Sequence, residues 1–293
     1  MPDLAITPLD DLTVLSVRGA DATAFLQGQL SQDISQLATQ GALLAGLHNA
    51  QGRVLALLRL LHLTEDQILV VLPLALSESV RRQLERYVLR SKVKIEAAGS
   101  AWSVYGLAGP DAEAAASTRL HMPADNGGMR HIIVAPRGEA APEAEGSERE
   151  EWRLDDIAAG IPEIFPATSG VWVAQMLNLD LLGAISFNKG CYTGQEVIAR
   201  AHFRGQVKRR MQRFSTDPEM QLVPGTRVVL AERGPAQIVM SALAGADSRE
   251  FLAVTATAQL QLQDDAPEAG SPHVSVSAID LPLPYGPSAG PQL

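Results

Sequence analysis

Apolar residues recur along this chain in two rhythms, strand-length runs and helical spacing, and the first half alternates between them. Residues 12–17 form an apolar run leading into Gly19 and Asp21, and Asp21 stands where it caps a short helix with Phe25, Leu26 and Leu30 on one side. Three further apolar runs follow at residues 43–47, 54–63 and 68–72. Turn-forming residues separate them, Gln51 and Gly52 in the first gap and Thr64, Glu65 and Asp66 in the second, so the spacing predicts an antiparallel meander. Ser77 is placed to cap a helix whose Val80, Leu84, Tyr87 and Val88 fall at helical spacing, with its arginines towards water. Helices lying on an antiparallel sheet give an α+β class.

The second half changes texture twice. Residues 137–151 hold six glutamates among Gly, Ala and Pro with almost no large apolar side chain, too little to offset the entropy of ordering, and this predicts a mobile acidic insertion. Beyond residue 206 β-branched runs lacking helical period occupy residues 226–230, 237–243, 251–262 and 273–279, with Gly and Pro between them. They predict a small closed or nearly closed β-barrel-like domain. The division is therefore a region of two α+β subdomains at 1–205 and a β-domain at 206–293, with a frayed tail after Tyr285. No internal repeat is present.

Composition narrows the setting. The chain has 293 residues and one cysteine, Cys191, which excludes an internal disulfide and fits a reducing, cytoplasmic compartment. The first residues show no basic start followed by an apolar run, and Arg59, His62 and Glu65 interrupt the longest apolar stretches well short of a membrane span. The net charge of -9 argues against general nucleic-acid binding, so direct RNA binding is not expected. The charge is uneven, however. Arg200, Arg204, Lys208, Arg209, Arg210 and Arg213 form one cationic run without an intervening acid, and Arg81, Arg82, Arg86, Arg90, Lys92 and Lys94 form another around Glu85. Each is read as a solvated face or an anion site.

The densest chemistry lies in Lys189, Gly190, Cys191, Tyr192, Thr193, Gly194, Gln195 and Glu196. Thr193 and Glu196 have capping-box spacing, which predicts a helix start there, with Val197, Ile198 and Ala201 on its packing side. Cys191 would then sit near the positive end of that helix and two residues from Lys189, and both features favour a thiolate. Gly190 permits a left-handed turn or a close approach to a ligand. One thiol cannot by itself hold an iron-sulfur cluster or a structural zinc, which need about four ligands. No histidine pair supplies the rest: His48, His62, His121, His131, His202 and His273 are scattered, each expected at the surface or as a satisfied core residue, and no metal site is expected. His202 lies about three helical turns beyond the thiol, too far to serve as its base along one helix. Neither a P-loop nor a dinucleotide glycine fingerprint is present.

That eight-residue block, continued by Ala199, Arg200, Phe203, Arg204, Gly205, Lys208 and Arg209, resembles the signature of the YgfZ family, a folate-binding branch related to the glycine-cleavage T-protein. The likeness extends to residues 19–21 and 25–29, 48–53, 87–94 and 159–162, to Gln175, Asn178 and Leu179, and to the closing Leu283, Pro284 and Tyr285. Ala174 departs from it, standing where relatives often carry proline.

The resemblance implies a T-protein-like fold with three parts in a ring around a folate-sized opening, and tetrahydrofolate or a derivative as cofactor. It implies Cys191 and Lys189 as the reactive pair and Trp152 against the folate ring, with Leu12 at a position where relatives can carry an aromatic. Gly190, Tyr192, Gln195, Glu196 and Arg200 would complete the folate side of the site. Two aspartates of the T-protein fall at Ala56 and Leu57, which can neither accept nor donate a proton, so aminomethyl transfer loses its acid and base. The implied function is support of iron-sulfur cluster assembly or repair in client enzymes, including those that thiolate or methylthiolate tRNA. The alternative is a folate-dependent one-carbon transferase using Cys191.

Overall fold

The computed structural model describes residues 4–112, 116, 120–123, 129–139, 145–146, 148–205, 207–257 and 274–285. Three sheets and five helices are described. After β1 (Ala5–Pro8), which belongs to the second sheet, the chain enters a five-stranded antiparallel sheet. Its strands are β2 (Leu12–Arg18), β3 (Ala42–His48), β4 (Val54–Thr64), β5 (Gln67–Pro73) and β6 (Lys94–Ala97), in the order β3-β4-β5-β2-β6. The meander expected from the spacing of turn residues is β3-β4-β5. One face of this sheet carries α1 (Ala22–Gln29), α2 (Leu37–Gln40) and α3 (Ser77–Glu85), whose Phe25, Leu26, Leu37, Val80 and Leu84 pack against Val17, Leu58, Leu60 and Val70. Both faces are covered, which is why β4 and β5 read as nearly continuous apolar runs and not as strict alternation.

The opposite face meets the second sheet, formed by β1, β7 (Trp102–Ala108), β8 (Leu120–Pro123), β9 (Arg130–Pro136) and β10 (Glu145–Gly146) in the order β10-β1-β7-β9-β8. Leu12, Val14, Leu61, Leu69 and Val71 pack there against Val104, Ile132, Val134 and Trp152. Part of the stretch expected as a mobile insertion thus takes regular structure. Glu145 and Gly146 pair in parallel with Ala5 and Ile6, and α4 (Arg149–Ala159) starts inside it. Glu148 and Glu151 make a capping box at that start, with the Glu151 carboxylate accepting the Glu148 amide at 3.4 Å, so acids that looked like loop composition in fact terminate a helix.

Helix α5 (Gln195–Phe203) precedes the third sheet, built from β11 (Arg209–Thr216), β12 (Arg227–Leu230), β13 (Gly234–Ala244), β14 (Ser248–Ala256), β15 (Val274–Val276) and β16 (Ile279–Leu281). Its order is β15-β12-β13-β14-β11-β16, so the two edge strands are consecutive in the chain with only Ser277 and Ala278 between them. A sheet whose opposite edges are joined by so short a link curls until those edges nearly meet, giving a half-barrel around Phe214, Phe251, Ile238 and Val228. Residues 258–262 and 273 of the expected strands, and the tail beyond Tyr285, lie outside the described residues.

Helix α4 stands where the three sheets converge. Its Trp152 belongs to the core between the first two sheets, while its Ile157 joins the core that runs from α1 and β4 to Met211, Met240 and Leu252 of the third.

Candidate functional site

The segment around Cys191 is held from three directions. Lys189 reaches back to the last turn of α1 and the residues after it, where its Nζ donates to the backbone carbonyls of Gln27, Leu30 and Gln32 at 2.7, 2.7 and 2.8 Å. Three N–H groups meet three acceptors, and the ammonium also lies 5.0 Å from the centre of the Tyr192 ring. Burial pushes this ammonium down to about 8, with the Asp33 carboxylate pulling the other way. Tyr192 is half-buried against the core, and burial pushes its hydroxyl up to about 12. Its amide donates to the Gln195 side chain at 3.1 Å. Cys191, between these two anchored residues, faces solvent.

Gly194 supplies the third constraint. Its φ is +84°, and a Cβ there would lie 2.4 Å from the Asn49 carbonyl oxygen and 3.0 Å from the Gly52 Cα. Only a glycine allows the turn at 49–52 to press backbone to backbone against the start of α5. That contact also explains a difference from the expected helix start. The capping box between Thr193 and Glu196 does not form: the N-cap is Gly194, in the left-handed region, and the helix begins at Gln195. Cys191 therefore precedes the first helical residue by a full non-helical turn instead of sitting just ahead of the cap.

The role expected for Lys189 shifts as well. All three of its donors are committed to backbone carbonyls, so it anchors the loop and is not free to donate to the thiol. Among the remaining residues singled out in the sequence, Gly190, Glu196 and Arg200 are exposed, and Gln195 is half-buried. The cationic run around Arg200 divides in two. Arg200, Arg204 and Lys208 face solvent, whereas Arg210 forms a two-pronged pair with Asp180 and also donates to Asn178 and Gln175, and Arg213 pairs with Glu250. The second run is mostly a helix surface, with Arg81 and Arg82 on Glu78, Arg81 also on Glu85, and Lys94 on Glu96.

Beside Tyr192, with ring centroids 6.4 Å apart, lies His48. It is fully buried, and neither ring nitrogen has a hydrogen-bond partner, contrary to the expectation of a surface or satisfied histidine. Burial pushes its imidazolium down to about 3, with the Gly52 backbone carbonyl acting in the opposite sense. His48 ends β3, a strand buried on both sides, and that placement was the one available signal.

Trp152 and Leu12 both sit in the core between the first two sheets, away from solvent. The indole lies flat on Gly106, where a Cβ would come within 2.3 Å of the ring, and the Arg130 guanidinium stacks 4.0 Å from its centre. Arg130 is itself fixed by Asp156 at 2.7 Å. With its ring occupied in this way, Trp152 offers no open face for a pterin.

Residues 4–135 match the family model of the GCVT N-terminal domain. The crystal structure of the glycine cleavage system aminomethyltransferase T from Bartonella henselae is similar over 87% of this chain and 79% of that one, at 15% identity and a TM-score of 0.67. The fold is T-protein-like. A heterotetrameric sarcosine oxidase from Corynebacterium sp. U-96 is also similar, at 13% identity over 45% of this chain and 75% of that one, with a TM-score of 0.31, too low to bear on architecture. Within the T-protein-like fold, β4 carries Ala56 and Leu57 as buried apolar residues, 0% and 3% exposed, so neither position brings a carboxylate to the interior.

Two residues further along the same strand is Arg59, which sequence reasoning used only as an interruption of an apolar run. Its side chain is half-buried. No group of three or more His, Cys, Asp or Glu is placed to hold a metal ion among the described residues, and no helix among them is long and apolar enough to cross a membrane.

Proposed function

We propose that this chain binds a reduced folate and uses Cys191 to support assembly or repair of iron-sulfur clusters in client enzymes, including those that thiolate or methylthiolate tRNA. The observation that carries the reading is the mounting of Cys191. A solvent-facing thiol, the sole cysteine of the chain, lies between an ammonium tied to three carbonyls and a glycine pressed on a distant turn. Lone exposed cysteines on flexible loops are chemical liabilities, whereas a positioned one can meet a partner in a fixed geometry.

The T-protein-like fold supports the folate part, with tetrahydrofolate or a derivative as the ligand class. Ala56 and Leu57, at the positions that the resemblance assigns to two T-protein aspartates, leave no proton donor or acceptor for aminomethyl transfer there. A single thiol supplies one of the roughly four ligands a cluster needs, so any cluster or sulfur it meets is shared with a client. The cytoplasmic setting belongs to the same proposal.

The test pairs a binding titration with a cellular assay. Tetrahydrofolate and its formyl and methyl forms are titrated into the wild-type chain and into Cys191→Ser, and both versions are expressed in cells lacking this protein while the activity of a cluster-dependent tRNA-methylthiolating enzyme is followed. The variant is expected to fold and bind folate as the wild type does, yet fail to restore activity. Full restoration by Cys191→Ser sinks the reading. Folate turnover by the purified wild type that is absent from the variant replaces it with a one-carbon transferase.

A further inference from the structure

The turn that joins α3 to β6 displays an apolar side chain at a point where the backbone resists it. Leu89 has φ +42°, in the left-handed region, and its side chain is 87% exposed. A Cβ is strained there, and glycine or asparagine would suit the backbone better. The turn is nevertheless fixed at both ends. Val88 and Val93 pack against the core, the Ser91 amide donates to the Val88 carbonyl at 2.7 Å, and the Lys92 amide donates to the Asp21 carboxylate at 2.7 Å. Gly19 presses so closely on it that a Cβ would meet the Lys92 carbonyl oxygen at 2.0 Å. Leu89 is therefore presented outward by a rigid frame.

Beside Leu89 is an open pocket of about 700 Å³, lined by Asp21, Tyr87, Leu89, Arg90 and Ser91. Tyr87 is exposed as well, so two large apolar side chains border it. The charge around the pocket is one-sided. Arg86, Arg90, Lys92 and Lys94 follow one another with no acid between them, and all four face solvent. The acids nearest in sequence are engaged, Glu78 by Arg81 and Arg82, Glu85 by Arg81, and Glu96 by Lys94. In a chain of net charge -9, this patch draws acidic groups where the rest of the surface repels them.

Apolar side chains framed by cations match a protein segment that carries an apolar residue between carboxylates. Asp21 agrees with a peptide, because a carboxylate that already accepts one amide has room for the N–H of a bound backbone. A nucleic acid fits less well: its phosphates would meet the Asp21 carboxylate, and Tyr87 alone among the lining residues offers a ring for stacking. We propose that the pocket at residues 87–91 is the docking site for an acidic segment of a client enzyme, with an aliphatic or aromatic side chain of that segment against Leu89 and Tyr87. This rests on the reading of Cys191 as a thiol that meets a client, and α1 links the two places. Asp21 stands at the start of this eight-residue helix, while Gln27 in its last turn and Leu30 after it accept Lys189, about 12 Å further along the axis. A client gripped at one end of α1 is held near the loop that the other end anchors.

The experiment uses the full chain and a fluorescein-labelled peptide, Glu-Asp-Leu-Phe-Glu-Asp, with two counterparts, one carrying Ser for Leu and Phe and one carrying Lys for every acid. Uridine oligonucleotides and phosphatidylglycerol vesicles are the remaining probes. Each is titrated into wild type, Leu89→Asn and Arg90→Glu, and the melting temperature of each protein is recorded. The first peptide is expected to bind wild type about fivefold or more tightly than either counterpart, and each substitution to weaken it by about fivefold or more. Leu89→Asn is expected to melt at or above the wild-type temperature, since asparagine tolerates the backbone there. Equal binding of the peptide to all three proteins, or none to wild type, overturns the docking site. A lower melting temperature for Leu89→Asn also overturns it, since Leu89 would then be structural. Oligonucleotide or vesicle binding that both substitutions weaken, without peptide binding, gives the patch to RNA or membrane instead. In the cellular assay above, both variants are expected to restore less activity than wild type. Full restoration by them alongside loss in Cys191→Ser overturns the docking site and leaves the cluster reading standing; full restoration by Cys191→Ser removes that reading itself, and the client with it.

Discussion

The ammonium of Lys189 sits 2.7 Å from the carbonyl oxygen of Leu30, a residue 159 positions earlier in the chain. Together with the bonds to Gln27 and Gln32, this ties the thiol-bearing loop to the last turn of the first helix and the residues after it. Lys189→Met keeps the length of the side chain and removes every donor. The expected loss is about 2–4 kcal/mol, since three carbonyls lose a charged partner. Hydrogen exchange checks the location, with protection falling at residues 27–32 and 189–194 and holding in the third sheet. Lys189→Arg is expected not to rescue, because a planar fork does not converge on three carbonyls as an ammonium does.

His48 makes stability depend on pH. In the unfolded chain its imidazole takes a proton near 6.5, but in the folded protein burial delays this to about 3. Between those limits the unfolded state binds more protons, so stability falls as pH drops from 6.5 towards 3, by roughly 1.4 kcal/mol per unit at most from this group. His48→Gln, which does not titrate, is expected to flatten that part of the curve. Urea midpoints measured from pH 7 to pH 4 give the answer; parallel curves for the two proteins would show that His48 is not the source.

Gly194→Ala places a methyl 2.4 Å from the Asn49 carbonyl in a backbone conformation with φ +84°. A destabilisation of about 1–3 kcal/mol is expected from strain and the forced separation of the two turns. The same variant should alter the rate at which Cys191 reacts with iodoacetamide, whereas a change at the exposed, uncrowded Gly190 to Ala should leave stability within about 0.5 kcal/mol of wild type.

Arg210 and Asp180 form a largely buried pair at 2.8 Å that joins β11 to the segment preceding the thiol loop. Arg210→Met leaves Asp180 without its partner and is expected to cost about 2–4 kcal/mol, seen in the melting temperature. The double variant Arg210→Met with Asp180→Leu should recover part of that loss, because the stranded charge is gone.

The strands and the main helices were legible because each satisfies a local rule. The meander announces itself through turn residues at regular spacing, and α3 through Val80 and Leu84. What local pattern missed was settled by contacts between distant segments. Thr193 and Glu196 have the spacing of a capping box, yet the turn at 49–52 presses on Gly194 and moves the helix start. Asp21 stands at the expected N-cap of α1, but its carboxylate accepts the amide of Lys92 at 2.7 Å and caps nothing in its own helix. Ser77 is inside α3, whose N-cap is Leu76. Arg210 and Arg213 read as free cations because Asp180 and Glu250 are far off in sequence. Cys191 was singled out because its neighbours are polar and glycine-rich, and it faces solvent.

Where two turns meet at Gly52 and Gly194, main chain lies against main chain with only the Val197 side chain beside Gly52, and the approach is therefore set chiefly by main-chain dimensions. Selection or engineering can vary the surfaces around Cys191 in size and charge without moving the sulfur, so long as those two positions stay bare and Lys189 keeps its three carbonyls. The reach of the thiol towards a partner is in that sense a property of the scaffold, and a change in partner needs only new decoration.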